Sequence, residues 1–240
     1  MDCILLFDID GTLVSRASKR RSAGVRAMSK AAFDMTGRDR LAEGISFAGA
    51  TDLDVARQLL EMGGIASPTE AQKTQLLDYY VSHIQQLILE DSYFALGAPR
   101  DVIPKLHEAG AVIGLGTGNV RAGAECKLHN AGIGDLFQFD LGGYGDDGEA
   151  RAHILQVAVE RCRPHARSKD APVIVIGDTP KDVLAAKEIG AECIGIPSGS
   201  ITVADLKSAG AIRVVKEVSD ELIFAIEEAI HARFPLLARI

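Results

Sequence analysis

An α/β fold, with a parallel-sheet core interrupted early by an inserted helical subdomain, is predicted by three features of this 240-residue sequence. The apolar run Ile4-Leu5-Leu6-Phe7 begins close to Met1 and ends in two carboxylates, Asp8 and Asp10. A long stretch of helical periodicity without a strand follows it. From about residue 95 onward short apolar strands alternate with helical segments, the pattern of βαβ units. The division expected from this is a core of residues 1–15 and 95–240 around a helical subdomain of residues 16–94.

Four successive apolar residues at Ile4 to Phe7 read as a strand covered on both faces, and Gly11-Thr12 turns the chain away. A first helix is expected from about Ser18 to Thr36, with Val25, Met28, Ala32 and Met35 at helical spacing and Gly37 as its stop. A second starts at Thr51 as N-cap, with Asp54 at N3, and ends at Gly63-Gly64. For the third, Ser67-Pro68-Thr69-Glu70 reads as a capping box. Its apolar stripe is Leu76, Leu77, Tyr80, Val81, Ile84, Leu87 and Ile88, so these three helices should form a small bundle.

Past the break at Gly97-Ala98-Pro99 the expected order is helix 99–109, strand 111–115, and a helix running from Gly116-Thr117-Gly118-Asn119 to Gly132. A short strand at 137–141, a glycine-rich loop at 142–148, a helix at 149–162 and strand 173–176 come next. Gly177-Asp178-Thr179-Pro180-Lys181-Asp182 then opens a helix reaching Gly190. Strand 193–196 with helix 202–209, and strand 212–215 with helix 219–233, complete the chain.

In open α/β sheets ligands bind at the carboxyl edge of the strands, and three of these strands end in polar residues there: Asp8 and Asp10, then Thr117, then Asp178 and Asp182. Carboxylates held together repel unless a cation joins them, so Asp8 and Asp178 suit a hard ion such as Mg²⁺, which prefers oxygen donors and sites completed by a phosphate and water. Asp182, one helical turn beyond Asp178, is placed to orient water on the metal. Thr117 and the N–H groups of Gly118 and Asn119, at a helix N-terminus, suit phosphate oxygens. Transfer of a phosphoryl group also needs a fixed cation. Arg151, at a helix start before the Asp178 strand, is the candidate; Lys127 is its rival but falls well inside a helix and reads as a surface residue.

An EF-hand also begins D-x-D, but here its fourth, fifth and twelfth positions are Gly11, Thr12 and Lys19, which removes it. Gly114, Gly116 and Gly118 lack the third glycine of a dinucleotide fingerprint at its offset. The net charge of −7 argues against nucleic acid as a partner. Arg16, Lys19, Arg20 and Arg21 form a local basic cluster, read either as a solvated helix start or as an attractor of an anionic substrate. Cys3, Cys126, Cys162 and Cys193 form no CxxC pair and read as buried thiols. With no signal-peptide pattern and no membrane-length apolar run, the expectation is a cytoplasmic monomer or homodimer without a membrane partner.

DIDGTL at Asp8 and Asp10, GTGN at Thr117, a basic residue at Arg151 and GDTPKD at Asp178 and Asp182 together resemble the four motifs of the haloacid dehalogenase superfamily, in order over nearly the whole chain. The early helical insertion is similar to the cap of its phosphoglycolate phosphatase-like members. The resemblance implies a Rossmann-like core and a Mg²⁺-dependent phosphatase acting on a small phosphate ester. Asp8 would be the nucleophile and a metal ligand. Asp10 would be the acid/base, with its backbone carbonyl on the metal; Asp178 would complete the metal site, and Thr117 and Arg151 would steady the phosphoryl group. The third motif is more often lysine, so Arg151 departs from the pattern. Asp10 separates phosphatases from dehalogenases and phosphonate hydrolases, which lack it, while a phosphomutase acting on a sugar phosphate stays as the alternative. For the substrate side the cap candidates are Arg16, Arg20, Phe47 and Thr51; Phe47 fits a packing role equally well.

Overall fold

The structure, a computed structural model, describes residues 1–16 and 21–233. In chain order, β1 (Ile4–Phe7) and β2 (Val14–Arg16) precede the helices α1 (Ala23–Thr36), α2 (Asp52–Met62) and α3 (Glu70–Leu87). After β3 (Tyr93–Ala95) come α4 (Pro99–Glu108), β4 (Val112–Leu115), α5 (Arg121–Asn130), α6 (Arg151–Cys162), β5 (Val173–Gly177) and α7 (Pro180–Glu188). The chain closes with β6 (Glu192–Gly195), α8 (Val203–Ala209), β7 (Arg213–Val214) and α9 (Asp220–Arg233).

Five strands form one sheet in the order β4-β1-β5-β6-β7, and every pairing in it is parallel. β1 lies between β4 and β5, which explains its unbroken apolar run. Alternate side chains enter opposite layers: Leu5 and Phe7 join the larger core under α4, α5 and α9, while Ile4 and Leu6 join a second core with α6, α7 and α8. All four are fully buried, each worth about 1.5–3 kcal/mol of transfer free energy. The register sets Phe7 beside Leu115 and Ile176. The residues that follow these strands, Asp8, Gly116-Thr117 and Gly177-Asp178, therefore emerge together at one edge.

The helices between β2 and β3 pack on each other through a face of small residues: Ala23, Ala27, Ala31 and Ala32 of α1 are all buried, which lets α3 approach with Leu76, Tyr80 and Ile84. Both strands flanking these helices were missed by periodicity. β2 and β3 pair antiparallel, Val14 with Ala95 and Arg16 with Tyr93, in a ribbon of only three residues a side. Segments so short carry too little alternation to register.

Three further expectations are corrected. The expected strand at 137–141 is a pair of 3₁₀ turns, Gly134–Leu136 and Phe139–Leu141, whose carbonyls bond locally; Phe137 packs edge-on against Phe7. Two apolar-polar alternations had imitated a strand. The capping box of α3 belongs to Thr69 and Gln72, not Ser67 and Glu70, because Ser67 takes a left-handed turn at φ 54° just before Pro68. Helix α1 starts after Ser22, whose hydroxyl accepts from the Val25 N–H; the expected start at Ser18, with Lys19 and Arg20, lies outside the described residues. Cys3, Cys162 and Cys193 are buried free thiols and Cys126 is partly buried. No helix among the described residues is long and apolar enough to cross a membrane.

Candidate active site

At the carboxyl edge of β1 the backbone turns at Gly11, whose φ of +84° suits glycine. A Cβ there would also lie 2.2 Å from Asp178 Oδ2, so the close approach of this turn to the β5 edge needs a residue without a side chain. Asp8, Asp178 and Asp182 are buried, and each offers an oxygen within 4.8 Å of the others. Burial pushes the Asp8 and Asp178 carboxyls well above the ordinary carboxylate range, and each is pushed further by neighbouring carboxylates; Arg151 opposes both shifts. Ser198, following β6, donates to Asp178 Oδ2.

Among the described residues one cation is in ion-pair contact with this group. Arg151 Nη2 lies 2.7 Å from Asp8 Oδ1 and 2.5 Å from Asp182 Oδ1, with its side chain 8% exposed. Burial disfavours its charge, but Asp182 and Asp8 outweigh that and raise its pKa. The residue that departs from the lysine pattern thus reaches Asp8 directly. Asp182 Oδ2 accepts from the Thr179 N–H (3.0 Å) and hydroxyl (2.8 Å), capping α7. Asp182 Oδ1 meets Arg151 as an ion pair without a hydrogen bond, and it lies in the acidic group where the residue was expected to orient water on a metal.

Asp10 is turned elsewhere. Its Oδ2 is 2.5 Å from Lys127 Nζ and accepts from Asn119 Nδ2 at 2.8 Å. Burial raises its pKa, but Lys127 and the hydrogen bonds from Lys127 and Asn119 prevail and the net shift is downward. Lys127 is therefore no surface residue: its side chain is 8% exposed, and it also donates to Asn119 Oδ1 at 2.6 Å. Its position held a signal that sequence reading passed over. It shares a face of α5 with the buried Gly123, Ala124 and Leu128, not with Arg121 and Glu125.

Thr117 is fully buried, and its hydroxyl accepts from Asn119 Nδ2 at 2.8 Å and, more weakly, from the Asn119 N–H at 3.3 Å. The expected phosphate donors of this loop, the N–H groups of Gly118 and Asn119, precede the first turn of α5 itself. Asp52 Oδ2 takes the Val120 N–H and Asp146 Oδ1 takes the Arg121 N–H, so two carboxylates already occupy that helix N-terminus. Asn119 serves Asp10 and Thr117, leaving the Gly118 N–H as the backbone donor of this loop without a hydrogen bond among the described residues. Gly118 is required on its other side too, since a Cβ would meet the Ala50 carbonyl at 2.3 Å.

A cavity of about 430 Å³ joins the sheet edge to the helical insertion, within the range of small-molecule sites. Asp8, Asp10, Thr117, Gly118, Asn119, Arg151 and Asp178 line it from the core, and Arg16, Phe47, Asp52, Tyr80 and Tyr93 from the β2–β3 side. Arg16 Nη1 is buried there without a hydrogen-bond partner. Thr51 is not brought into the cavity: its hydroxyl donates to the Glu149 carbonyl at 2.9 Å and accepts from the Asp54 N–H as the cap of α2. Arg20 lies outside the described residues.

A family model described as haloacid dehalogenase-like hydrolase matches residues 4–190. The chain is 25% identical over 195 residues to a phosphoglycolate phosphatase of Pectobacterium atrosepticum, covering 81% of this chain and 80% of that one. A phosphoglycolate phosphatase of Vibrio vulnificus is 23% identical, with 82% and 84% covered. Among solved structures, a predicted phosphatase from Clostridium acetobutylicum superposes with a TM-score of 0.67 at 22% identity, covering 95% of this chain and 99% of that one. A β-phosphoglucomutase from Clostridium difficile does so with 0.68 at 19% identity, covering 97% and 98%. At such identities the structural likenesses speak for the fold alone.

Proposed function

This chain belongs to the haloacid dehalogenase-like hydrolases, and we propose that within them it is a Mg²⁺-dependent phosphatase of a small phosphorylated metabolite, working through an aspartyl-phosphate on Asp8. The observation that carries this is the division of the two carboxylates: Asp8 is buried against Arg151 among acids, while Asp10 is turned to Lys127 and Asn119 at the cavity. A nucleophile and a proton-transfer group need that separation.

The residues fit a hard divalent cation. Buried carboxylates crowd within 4.8 Å, all donors are oxygen, and Arg151 is the cation that meets them. Asp8, Asp178 and the Asp10 backbone carbonyl would hold the ion, which when bound would offset repulsion between a carboxylate nucleophile and a phosphate dianion. The protein's own groups do the rest. An oxygen of Asp8 attacks phosphorus as the ester P–O bond breaks, and Asp10 gives a proton to the departing oxygen. Arg151 and Thr117 hold the phosphoryl oxygens. Water then attacks the aspartyl-phosphate, Asp10 takes its proton, and phosphate leaves.

In this reading residues 16–94 are a cap that closes over the site and excludes water. Arg16, with its unpartnered buried nitrogen on the cavity wall, supports a second anionic group on the substrate. The phosphoglycolate phosphatase relatives support such a substrate. A panel of phosphorylated metabolites assayed for phosphate release with Mg²⁺ and with chelator tests all of this. Expected are Mg²⁺-dependent release, preference for carboxylated or doubly phosphorylated esters, and a loss of at least ~10³-fold in Asp8→Asn. Full activity of Asp8→Asn sinks the mechanism, and an isomerised sugar phosphate without free phosphate transfers the reading to a phosphomutase.

A further inference from the structure

Lys127 is a buried charge that the reaction sketched above does not use for phosphate binding. It sits across from the acidic group, not in it, and its charge is kept despite burial: Asp10, Tyr93 and Asp52 outweigh desolvation and raise its pKa. A lysine buried for packing alone is costly, yet α5 spends the centre of its buried face on one. Small residues make the room, since Gly24 of α1 lies 4.0 Å from Lys127 Cε by its would-be Cβ and Gly123 lies 3.0 Å from the Tyr80 hydroxyl in the same way.

The contacts on Asp10 are one-sided. Lys127 Nζ and Asn119 Nδ2 both reach Oδ2, at 2.5 and 2.8 Å, and no hydrogen bond among the described residues reaches Oδ1. Lys127 also fixes the Asn119 amide by its own bond to Oδ1 of that residue, which sets Nδ2 toward Asp10. Two donors on one oxygen lock the rotation of the carboxyl group and leave Oδ1 as the oxygen open to a substrate.

We propose that Lys127 is a positioning residue for the leaving-group step: with Asn119 it clamps Asp10 Oδ2 so that Oδ1 alone exchanges a proton with the ester oxygen. The inference rests on the phosphatase reading. In the step, the proton on Oδ1 passes to the leaving oxygen as the bond from phosphorus to that oxygen breaks and the bond from phosphorus to Asp8 forms. Lys127 so acts on the direction of the Asp10 carboxyl group, through Oδ2, without touching the substrate's phosphorus.

The test is a series of aryl phosphates from 4-nitrophenyl through phenyl to 4-methoxyphenyl phosphate, with kcat/KM measured for wild type, Lys127→Met, Lys127→Arg, Asp10→Asn and the Lys127→Met/Asp10→Asn double variant. kcat/KM reports the first transfer and excludes the later hydrolysis of the aspartyl-phosphate. A good leaving group needs no proton, so Lys127→Met should lose roughly 3-fold or less on the 4-nitrophenyl ester and tenfold more than that on the phenyl and methoxyphenyl esters. Lys127→Arg should restore the shallower dependence, and the double variant should be no steeper than Asp10→Asn alone. The activity on the 4-nitrophenyl ester shows in the same protein that the fold persists. Equal loss across the series overturns the inference in favour of a structural role. Further steepening in the double variant overturns it too, because Lys127 would then act without Asp10. Wild-type protein that cleaves none of these esters overturns the phosphatase reading instead, and this inference falls with it.

Discussion

Asp52 shows how finely the charges around the cavity are set. It comes from the start of α2, yet its carboxylate caps α5 through the Val120 N–H at 2.9 Å. Burial pushes its pKa from 3.8 up to about 6, against the pull of Lys127 and that N–H, with Asp10 and Asp146 adding to the rise. The folded state therefore holds this proton longer than the unfolded chain does, so the stabilisation is complete below pH 3.8 and is lost as pH rises to about 6. Asp52→Asn keeps an acceptor for Val120 but carries no charge. Its stability relative to wild type should climb through that window and then level, by about 1–2 kcal/mol given the partial exposure of the site. Melting temperatures of both proteins from pH 4 to 8 check this; a difference that does not change with pH refutes it.

A second carboxylate ties the helices between β2 and β3 to the core. Glu149, two residues before Arg151, accepts from Lys73 of α3 at 2.6 Å and from Arg57 of α2 at 3.2 Å, while its carbonyl receives the Thr51 hydroxyl. Lys73 is 7% exposed at its side chain, so this tie is partly desolvated. Its other partner, Glu70 at 2.7 Å, softens the loss of Glu149. Glu149→Gln should cost about 1–2 kcal/mol in denaturant unfolding and raise KM more than it lowers kcat, because it loosens the insertion against the segment that carries Arg151. Removing both charges in Lys73→Met/Glu149→Gln should recover part of the stability. A double variant less stable than the sum of the singles contradicts that account.

Taken together, the fold gathers more negative charge at one edge than its own cations there neutralise. Asp8 is pushed up by burial and by Asp182 and Asp10, Asp178 by burial and by Asp8 and Asp182, and among the described residues Arg151 answers only Asp8 and Asp182 by direct contact. Mg²⁺ should stabilise the whole protein, by about 2.7 kcal/mol at a hundredfold excess over its Kd, read as a rise in melting temperature without any substrate. Asp178→Asn should lose that rise while melting no lower than wild type in chelator, since it removes one carboxylate from the crowd. A large destabilisation of Asp178→Asn in chelator would show that the acidic group is structural.

Much of this was legible from residue order. Strand ends are local events, so Asp8, Asp10, Thr117 and Asp178 could be set at one edge once the strands were read as parallel, and Ser198 after β6 carried the same signal unread. Arg151 was legible by its place at a helix start. What the chain order left open was direction: that Asp10 turns to Lys127 and Asp8 to Arg151 depends on which faces of α5 and α6 meet the sheet. Nor could order reveal that Asp52 and Asp146 would occupy the α5 N-terminus, or that Thr51 would spend its hydroxyl on Glu149, because those partners are distant in sequence. Periodicity reports how a residue relates to its own element. Which of two nearby carboxylates a buried cation reaches is decided by packing between elements, and so only by the tertiary structure.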